Sequence, residues 1–310
     1  MAETRGKLFV VVGPTGVGKT DISLKVARLL GCSIVSCDSR QMFREMKIGT
    51  AAPTEAQLLD TKHYFVGSRS IFEPYSAGQF ETDAIPVIEA EIAQSGNALM
   101  TGGSMLYVDA VCKGIDDLPT IDAETRSEVA DFYAKNGIEG IRRRLRLLDP
   151  EHYADVDLKN AKRMMHALEV IQMTGQKFSD LRTNRTKMRT FDIVKIGLNR
   201  PREELYERIN KRVLQMIDDG LEQEAQSLYA YKNLNALNTV GYKELFNYFD
   251  GVWTRDHAIG MIQQNTRRYA KKQLSWFGRD KEIHWFCPDD ERGILNFVEQ
   301  TKKQKTQAQR

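Results

Sequence analysis

The residues with the clearest chemical signature lie near the start of the chain, in the pattern G-x-x-x-x-G-K-[ST]. An apolar run at 8–12 precedes this pattern and an amphipathic stretch at 22–30 follows it, which predicts a strand, a loop and a helix. Glycines in such a loop permit positive φ, so backbone N–H groups and the helix start can face an anion. Lys19 would neutralise that anion, and the Thr20 hydroxyl would be a ligand of Mg²⁺. The sequence therefore predicts a phosphate and Mg²⁺ site at Gly13, Pro14, Thr15, Gly16, Val17, Gly18, Lys19 and Thr20.

Asp38 is the second candidate, because it follows a short strand-like run at 33–36. In a doubly wound parallel sheet this position lies at the carboxyl edge beside the phosphate loop, where ligands bind. A carboxylate there is equally consistent with a general base, with an indirect holder of Mg²⁺ and with a helix cap. Position alone leaves these three roles open.

Gly102, Gly103 and Ser104 follow another apolar run, at 98–100. The pattern lacks the second glycine of G-x-S-x-G, which excludes a serine-hydrolase elbow and favours contact of Ser104 with an oxyanion or a phosphate. The run also has no terminal Asp or Glu with which P-loop hydrolases hold Mg²⁺, so an ATP-driven motor or switch is disfavoured. The histidines lack the spacing of zinc ligands.

These candidates need a scaffold in which strands alternate with helices. Strand-like runs occur at 8–12, 33–36, 98–100 and 193–198, with helical patterns between them. This alternation predicts an α/β fold with a P-loop parallel sheet flanked by helices, and the helical patterns without strands at 120–190 predict a helical insertion domain. The expected domains are a catalytic core with C-terminal helices at 1–119 and 191–300, the insertion at 120–190, and a flexible tail at 301–310.

Two later helices carry further candidates. One is predicted to begin at Pro201, where a proline and two acidic residues suit a first turn, and to bend or end at Gly220. The other has a stripe of residues at heptad-like spacing that is expected to pack, with its basic residues on another face. The stripe consists of Ile262, Thr266, Tyr269, Gln273 and Trp276.

Composition limits the function classes. The 310 residues carry a net charge of only +3, yet basic residues cluster at 142–146, 182–189 and 267–279. These clusters are equally consistent with an anionic polymer as partner and with solvated helix faces. Apolar runs are too short to span a bilayer, and the start of the chain has no signal core. The four cysteines form no metal or disulfide pattern, so we expect a cytoplasmic protein with no membrane partner, and a monomer.

Ordered motifs along most of the chain resemble those of the tRNA dimethylallyltransferases, in their bacterial form. The matching segments are 13–20, Asp38-Ser39-Arg40-Gln41, 48–51, 102–107, 167–170 with 174–175, 240–244 and 266–273. The resemblance implies transfer of a dimethylallyl group from dimethylallyl diphosphate to the 6-amino group of the adenosine 3′ to the anticodon, position 37 of tRNA. It implies Asp38 as the base, with Lys19, Thr20, Ser104 and an essential arginine as further catalytic residues. That arginine aligns with Arg212, with Arg208 as the rival.

The resemblance also implies a set of tRNA-binding residues. These are Asp38, Ser39, Arg40, Gln41, Ser104, Arg126, Lys162, Arg163, His166, Gly241, Tyr242, Lys243, Arg267, Lys271, Lys272, Gln273 and Trp276. Several positions depart from the family pattern, and Ala52, His166 and Gly278 each stand where the family has a cation. We therefore expect the departures to affect tRNA affinity or tRNA choice first.

The chemistry of the implied reaction is consistent with these residues. The 6-amino group of adenine is a poor nucleophile, so a carboxylate that accepts its proton should accelerate transfer by about a hundredfold or more. The departing pyrophosphate would be neutralised by the P-loop, Mg²⁺ and Arg212. Three alternatives stay open: an adenylate dimethylallyltransferase that uses free nucleotide, an ATP-dependent small-molecule kinase, and a non-catalytic P-loop RNA-binding factor.

Overall fold

The computed structural model describes residues 6–116, 118–183 and 185–304. It divides into two compact units, one formed by the described residues up to Cys112 and from Met188 onward, the other by Lys113–Lys187. The sequence pattern placed the insertion at 120–190. Within the described ranges, every helix is too short or too polar to cross a membrane.

The larger unit is built on a six-stranded sheet. Its strands are β1 (Lys7–Val12), β2 (Ile34–Ser36), β3 (His63–Tyr64), β4 (Asn97–Gly102), β5 (Asp192–Leu198) and β6 (Ile283–Phe286). All pairings are parallel and the spatial order is β3-β2-β4-β1-β5-β6, so the predicted α/β class is confirmed. The sequence patterns indicated β1, β2, β4 and β5. They missed β3, which has only two residues, and β6, whose central residues are exposed.

Helices of the larger unit cover both faces of the sheet. In chain order the helices are α1 (Lys19–Leu30), α2 (Glu55–Asp60), α3 (Ala77–Ser95), α4 (Met105–Cys112), α5 (Ala123–Leu148), α6 (Pro150–Asp155), α7 (Ala161–Thr174), α8 (Phe178–Leu181), α9 (Arg202–Asp218), α10 (Leu221–Leu228), α11 (Tyr242–Phe249), α12 (Arg255–Phe277) and α13 (Glu291–Lys303). Single 3₁₀ turns lie at Tyr229–Tyr231 and Asn235–Leu237. In β1, Leu8 and Val10 contribute to one core cluster and Phe9 and Val11 to the other, because alternate side chains point to opposite faces.

The structure agrees with one detail of the sequence prediction and corrects two. α9 ends at Asp218, and Gly220, with φ +102°, is the N-cap of the next helix, α10, so the helix ends at this glycine as expected. Residues 301–303 continue α13 rather than a flexible tail, and 305–310 lie outside the described residues. Tyr269 is exposed and Trp276 half-buried, whereas the buried residues of α12 are Ala258, Ile262, Thr266, Ala270, Gln273 and Phe277.

The smaller unit contains α5 to α8 around a core of its own. Val129, Ile141, Leu145 and Leu168 are buried in one cluster in which α5 packs against α7. Gly137 interrupts α5 with a non-helical backbone at φ 61°. The described residues of this unit form no strand, as the patterns at 120–190 predict.

Candidate functional site

The P-loop between β1 and α1 has the backbone that its glycines were expected to allow. Gly16 and Gly18 adopt φ +82° and +108°, and a Cβ on Gly13 would lie 2.6 Å from the carbonyl oxygen of Leu198. Side chains larger than hydrogen would therefore strain or displace the loop. Lys19 curls back and donates to the carbonyl oxygens of Gly13 at 2.9 Å and Pro14 at 3.0 Å.

Lys19 is enclosed by protein atoms and lies near both an acidic and a basic side chain. Desolvation lowers the pKa of its ammonium group to about 8, and the positive charge of Arg212 acts in the same direction. The carboxylate of Asp38 partly opposes the effect. An ammonium group in this state is stabilised by an incoming anion, which restores the electrostatic stabilisation that burial removes.

Two arginines of α9 contact the P-loop from its other side. Arg212 donates through an Nη to the hydroxyl of Thr15, and Arg208 donates its Nε–H to the carbonyl oxygen of Gly16 at 3.1 Å. The Nε–H of Arg212 is buried and has no hydrogen-bond partner within the described part of the chain. Burial lowers the pKa of Arg212, with Asp38 opposing and Arg208 adding to the shift. An unpaired buried donor on a desolvated cation is a group that an anionic ligand would satisfy.

Asp38 lies in the loop after β2, as predicted. One carboxylate oxygen, Oδ1, accepts hydrogen bonds from the backbone N–H groups of Arg40 at 2.9 Å and Gln41 at 3.3 Å. The other oxygen makes no hydrogen bond to any described residue, and Asp38 lines the cavity in front of the P-loop. Of the three roles open from position, capping a turn accounts for one oxygen and leaves the other available for chemistry.

Ser104 fixes the Asp38 loop to the end of β4. Its hydroxyl oxygen accepts from the N–H of Ser39 at 2.8 Å, and the two serine hydroxyls lie 3.0 Å apart. Tyr269 of α12 lines both cavities beside this loop, and desolvation raises the pKa of its hydroxyl to about 12. Ser104, predicted as a catalytic residue, therefore contacts the loop that carries the carboxylate.

Neighbouring segments are held by half-buried polar side chains. Gln41 donates to the carbonyl oxygens of Thr50 and Ala51, and Arg40 donates to those of Asn235 and Ala236. The N–H groups of Ile48 and Gly49 donate to Glu224, a residue that the sequence analysis does not identify as functional.

Two of the residues predicted to contact tRNA have buried side chains with protein partners. Tyr242 has no exposed surface and donates its hydroxyl to Glu224 at 2.7 Å, and burial raises its pKa. Gln273 is 1% exposed, and both ends of its amide bond to protein. The adjacent Gly241 is buried too, but it borders a cavity together with the exposed Lys243. Trp276 is half-buried and donates its indole N–H to Asp109 at 3.0 Å.

Two cavities of the larger unit meet at Asp38. The first, of about 510 Å³, is lined by the P-loop, Lys19, Arg208, Lys211 and Arg212. The second, of about 680 Å³, is lined by Ser104, Lys243, Asn265, Lys272 and parts of α9 to α12. Residues shared by both linings are Thr15, Asp38, Thr50, Arg212 and Tyr269. A donor in the first cavity and an acceptor in the second would face the same carboxylate.

The basic face of α12 differs from most charged surfaces of the protein. Arg268, Lys271 and Lys272 are exposed, and Arg267 is half-buried over the ring of Tyr206. Arg267 and Arg268 donate to amide oxygens, and none of the four forms an ion pair with a carboxylate in the ranges the structure describes. These cations are available to an anionic partner, which favours the first of the two interpretations of the cluster.

The predicted tRNA-binding residues of the smaller unit lie at its surface. Arg126, Lys162, Arg163 and His166 are all exposed. His166 lies 3.4 Å from the largely buried carboxylate of Glu169 and edge-on to Phe178. By contrast, Arg142 of the first basic cluster is half-buried and donates to the carbonyl oxygen of Leu158.

The donor set at the P-loop fits Mg²⁺ held jointly with a ligand. Thr20 lines the first cavity, and its hydroxyl makes no hydrogen bond to a described residue. Within the described ranges no group of three His, Cys, Asp or Glu could bind a metal by itself. Mg²⁺ commonly takes one or two protein oxygens and completes its octahedron with substrate phosphates and water. One hydroxyl beside a phosphate cradle suits that arrangement.

Comparison with known proteins decides the family. The family model described as IPP transferase matches residues 41–280. The chain is 53% identical over 300 residues to tRNA dimethylallyltransferase 1 of Bacteroides fragilis (strain YCH46), covering 97% of this chain and 100% of the relative. It is 45% identical over 293 residues to tRNA dimethylallyltransferase of Christiangramia forsetii, with 94% and 97% covered. The chain belongs to the IPP transferase family. The resemblance predicted from the motifs is thereby confirmed.

Solved structures of the IPP transferase family have the same architecture. The full-length tRNA isopentenylpyrophosphate transferase from Bacillus halodurans is 33% identical, with a TM-score of 0.71 and 97% and 98% of the two chains covered. A eukaryotic dimethylallyltransferase acting on tRNA is 20% identical, with a TM-score of 0.78 over 98% of this chain and 81% of the other. The latter similarity concerns the fold alone.

Proposed function

We propose that this protein transfers the dimethylallyl group of dimethylallyl diphosphate to the 6-amino group of adenosine 37, the nucleoside 3′ to the anticodon of tRNA. The products are N6-isopentenyladenosine and pyrophosphate. The observation that carries the proposal is the meeting of the two cavities at Asp38. One has a phosphate cradle with four flanking cations, and the other is bordered by α12, which bears the unpaired basic face. Membership of the family supports the same activity.

The residues around the first cavity act on the leaving group. As the C–O bond to the diphosphate breaks, negative charge builds on its oxygens. The amides of the P-loop, Lys19 and Arg212 face that charge, and the unpaired Nε–H of Arg212 is a donor ready for it. Arg208, already bonded to the carbonyl oxygen of Gly16, contributes its charge from further out. Mg²⁺, held by Thr20 and the diphosphate when bound, would supply additional positive charge.

Asp38 acts on the acceptor. The C–N bond forms from the nitrogen lone pair, and the carboxylate oxygen that makes no internal hydrogen bond accepts the proton that nitrogen loses. The other oxygen and the Ser104 contact keep the loop in place. One carboxylate thus both maintains its turn and accepts the proton, which accounts for its place between the cavities.

A base stacked inside an anticodon loop cannot reach a carboxylate at the bottom of a cavity. The adenosine must be splayed out, as in other enzymes that modify bases. We assign the phosphates of the loop to the exposed cations of α12. The exposed Arg126, Lys162 and Arg163 of the smaller unit are proposed, separately, as tRNA contacts of that unit. The cytoplasmic location and the monomeric state stay predictions.

Transfer of labelled isoprenoid tests the proposal. Unmodified tRNA, free AMP and buffer alone serve as parallel acceptors, with Mg²⁺ present. Label in tRNA alone, at the predicted adenosine, is the expected result. Label in AMP alone would instead make the protein an adenylate dimethylallyltransferase. No transfer, with RNA binding retained, would make it an RNA-binding factor, and phosphate transfer from ATP to a small molecule would make it a kinase.

A further inference from the structure

Gln273 is a buried polar residue for which the proposed reaction has no use. It lies on the packed side of α12 and is 1% exposed. Its Oε1 accepts the backbone N–H of Thr15 in the P-loop at 2.8 Å. Its Nε2 donates to the carbonyl oxygen of Gly103, just beyond β4, at 2.8 Å. One amide therefore joins the phosphate loop to the strand end that precedes Ser104.

The surrounding backbone is closely fitted to this amide. A Cβ on Gly103 would lie 2.3 Å from the Nε2 of Gln273, so only glycine leaves room for the contact. Thr15 is held from two directions, because its N–H donates to Gln273 while its hydroxyl accepts from Arg212. The segment of the P-loop at Thr15 therefore has a fixed orientation before any ligand arrives.

We infer that Gln273 is a positioning residue for donor binding: it orients the P-loop at Thr15 so that the following amides face the diphosphate. In this role it touches neither RNA nor the reacting atoms. The inference uses the proposed function only for the identity of the donor, because inorganic pyrophosphate alone can probe the loop. Without the amide, the Thr15 N–H and the buried Gly103 carbonyl oxygen lose their hydrogen-bond partner, and the loop must shift to satisfy them.

A matched pair of variants tests the inference. Gln273→Met keeps the length and apolar stem but removes both hydrogen bonds. Gln263→Met is the control, because Gln263 lies on the same helix but its Nε2 donates to the carbonyl oxygen of Asn210 in α9, at 3.3 Å, rather than to the P-loop. Each variant is measured for pyrophosphate affinity by calorimetry, for KM and kcat with dimethylallyl diphosphate, for affinity to an anticodon stem-loop, and for melting temperature.

We expect Gln273→Met to weaken pyrophosphate binding and to raise the donor KM by about tenfold each, as loss of one positioning interaction would. Stem-loop affinity should stay within about twofold, and Gln263→Met should leave the pyrophosphate affinity and the donor KM unchanged. A lower melting temperature with unchanged pyrophosphate affinity and donor KM would show that Gln273 is structural only. Weaker stem-loop binding with unchanged pyrophosphate binding would return it to the RNA surface. Either result overturns the inference.

Gly103→Ala provides an independent test should Gln273→Met fail to fold. Its new methyl group would displace the Gln273 amide without removing it, and φ at Gly103 is outside the positive range. The same rise in donor KM is expected, and an unchanged KM would refute the positioning role. Failure of the proposed function is distinguishable from failure of this inference. Even if the wild-type protein transferred label to AMP or to nothing, Gln273→Met would still bind pyrophosphate more weakly than the wild type.

Discussion

Replacing Asp38 with Asn separates the role of this residue as a general base from its role in capping a turn. Asn retains an Oδ1 that accepts the N–H groups of Arg40 and Gln41, bonds that measure 2.9 and 3.3 Å in the wild type. The Ser104 contact to Ser39 does not involve the carboxylate at all. The turn should therefore persist, with a loss of folding stability under about 1 kcal/mol. Only the proton acceptor facing the cavity is removed.

The size of the effect follows from the role. General base catalysis contributes about 10²- to 10⁴-fold, equivalent to roughly 2.7 to 5.5 kcal/mol of barrier. A second effect acts on Lys19, because the Asp38 charge opposes the lowering of its pKa, which lies at about 8. Asn at position 38 lowers that pKa further, so measurement at pH 6.5 keeps Lys19 mostly charged in both proteins.

Single-turnover transfer to unmodified tRNA at that pH isolates the chemical step. We expect the rate constant to fall by at least about a hundredfold, while pyrophosphate affinity and melting temperature change little. A loss below tenfold would refute the base assignment and leave Asp38 as a capping residue. A large loss accompanied by equally weakened pyrophosphate binding would instead mean that the loop had collapsed.

The remaining predictions concern charge and domain structure. Pyrophosphate affinity should fall as the pH rises through about 8, because Lys19 then loses its proton. Calorimetry across pH 7 to 9 measures this dependence, and an affinity that does not change with pH would contradict the prediction. Arg212→Ala should raise the donor KM more than Arg208→Ala does, since only Arg212 carries an unpaired buried N–H, and the reverse order would make Arg208 the essential arginine. Lys271→Ala and Lys272→Ala should each reduce the log–log salt slope of tRNA binding by about 0.7 to 1. Lys303→Ala, which loses an ion pair with Glu299, is the control and should leave that slope unchanged. If the two α12 variants had the same slope as the wild type, α12 would not be part of the RNA surface. A backbone hydrogen bond of 2.8 Å joins Lys187 to Lys113, so a short linker can replace residues 114–186. The remaining core should fold and bind pyrophosphate but should not bind a stem-loop. Unchanged RNA affinity would show that the smaller unit does not bind tRNA.

Local patterns predicted the parts of the site that depend on local sequence. The P-loop and Asp38 lie beside strands of continuous apolar residues, and a parallel sheet brings the ends of such strands together. The α/β class and the four central strands followed from the same signal. Strand β3, by contrast, pairs through only two residues, too few for a period to register.

Local sequence patterns could not predict residues whose contacts are distant in the sequence. Glu224 accepts hydrogen bonds from Ile48 and Gly49, which are 176 and 175 residues away in the sequence. No residue near Glu224 in the sequence indicates these partners. Gln273 and Tyr242 stand in motifs that the resemblance associates with tRNA. Burial, which only the fold determines, gives them other partners. Polar type and motif membership thus indicate importance without specifying contact.

Three arginines that contact the P-loop carry charge that the basic clusters of the sequence do not indicate. Arg200, Arg208 and Arg212 bond to the carbonyl oxygen of Val17, the carbonyl oxygen of Gly16 and the hydroxyl of Thr15. Arg200 is neutralised by Glu204 and Asp289, and these pairs raise its pKa, whereas burial lowers that of Arg212. Arg200 therefore supports the loop with its charge already balanced. The charge of Arg212 is only partly offset by Asp38, and an anionic diphosphate in the first cavity is the ligand that would complete that balance.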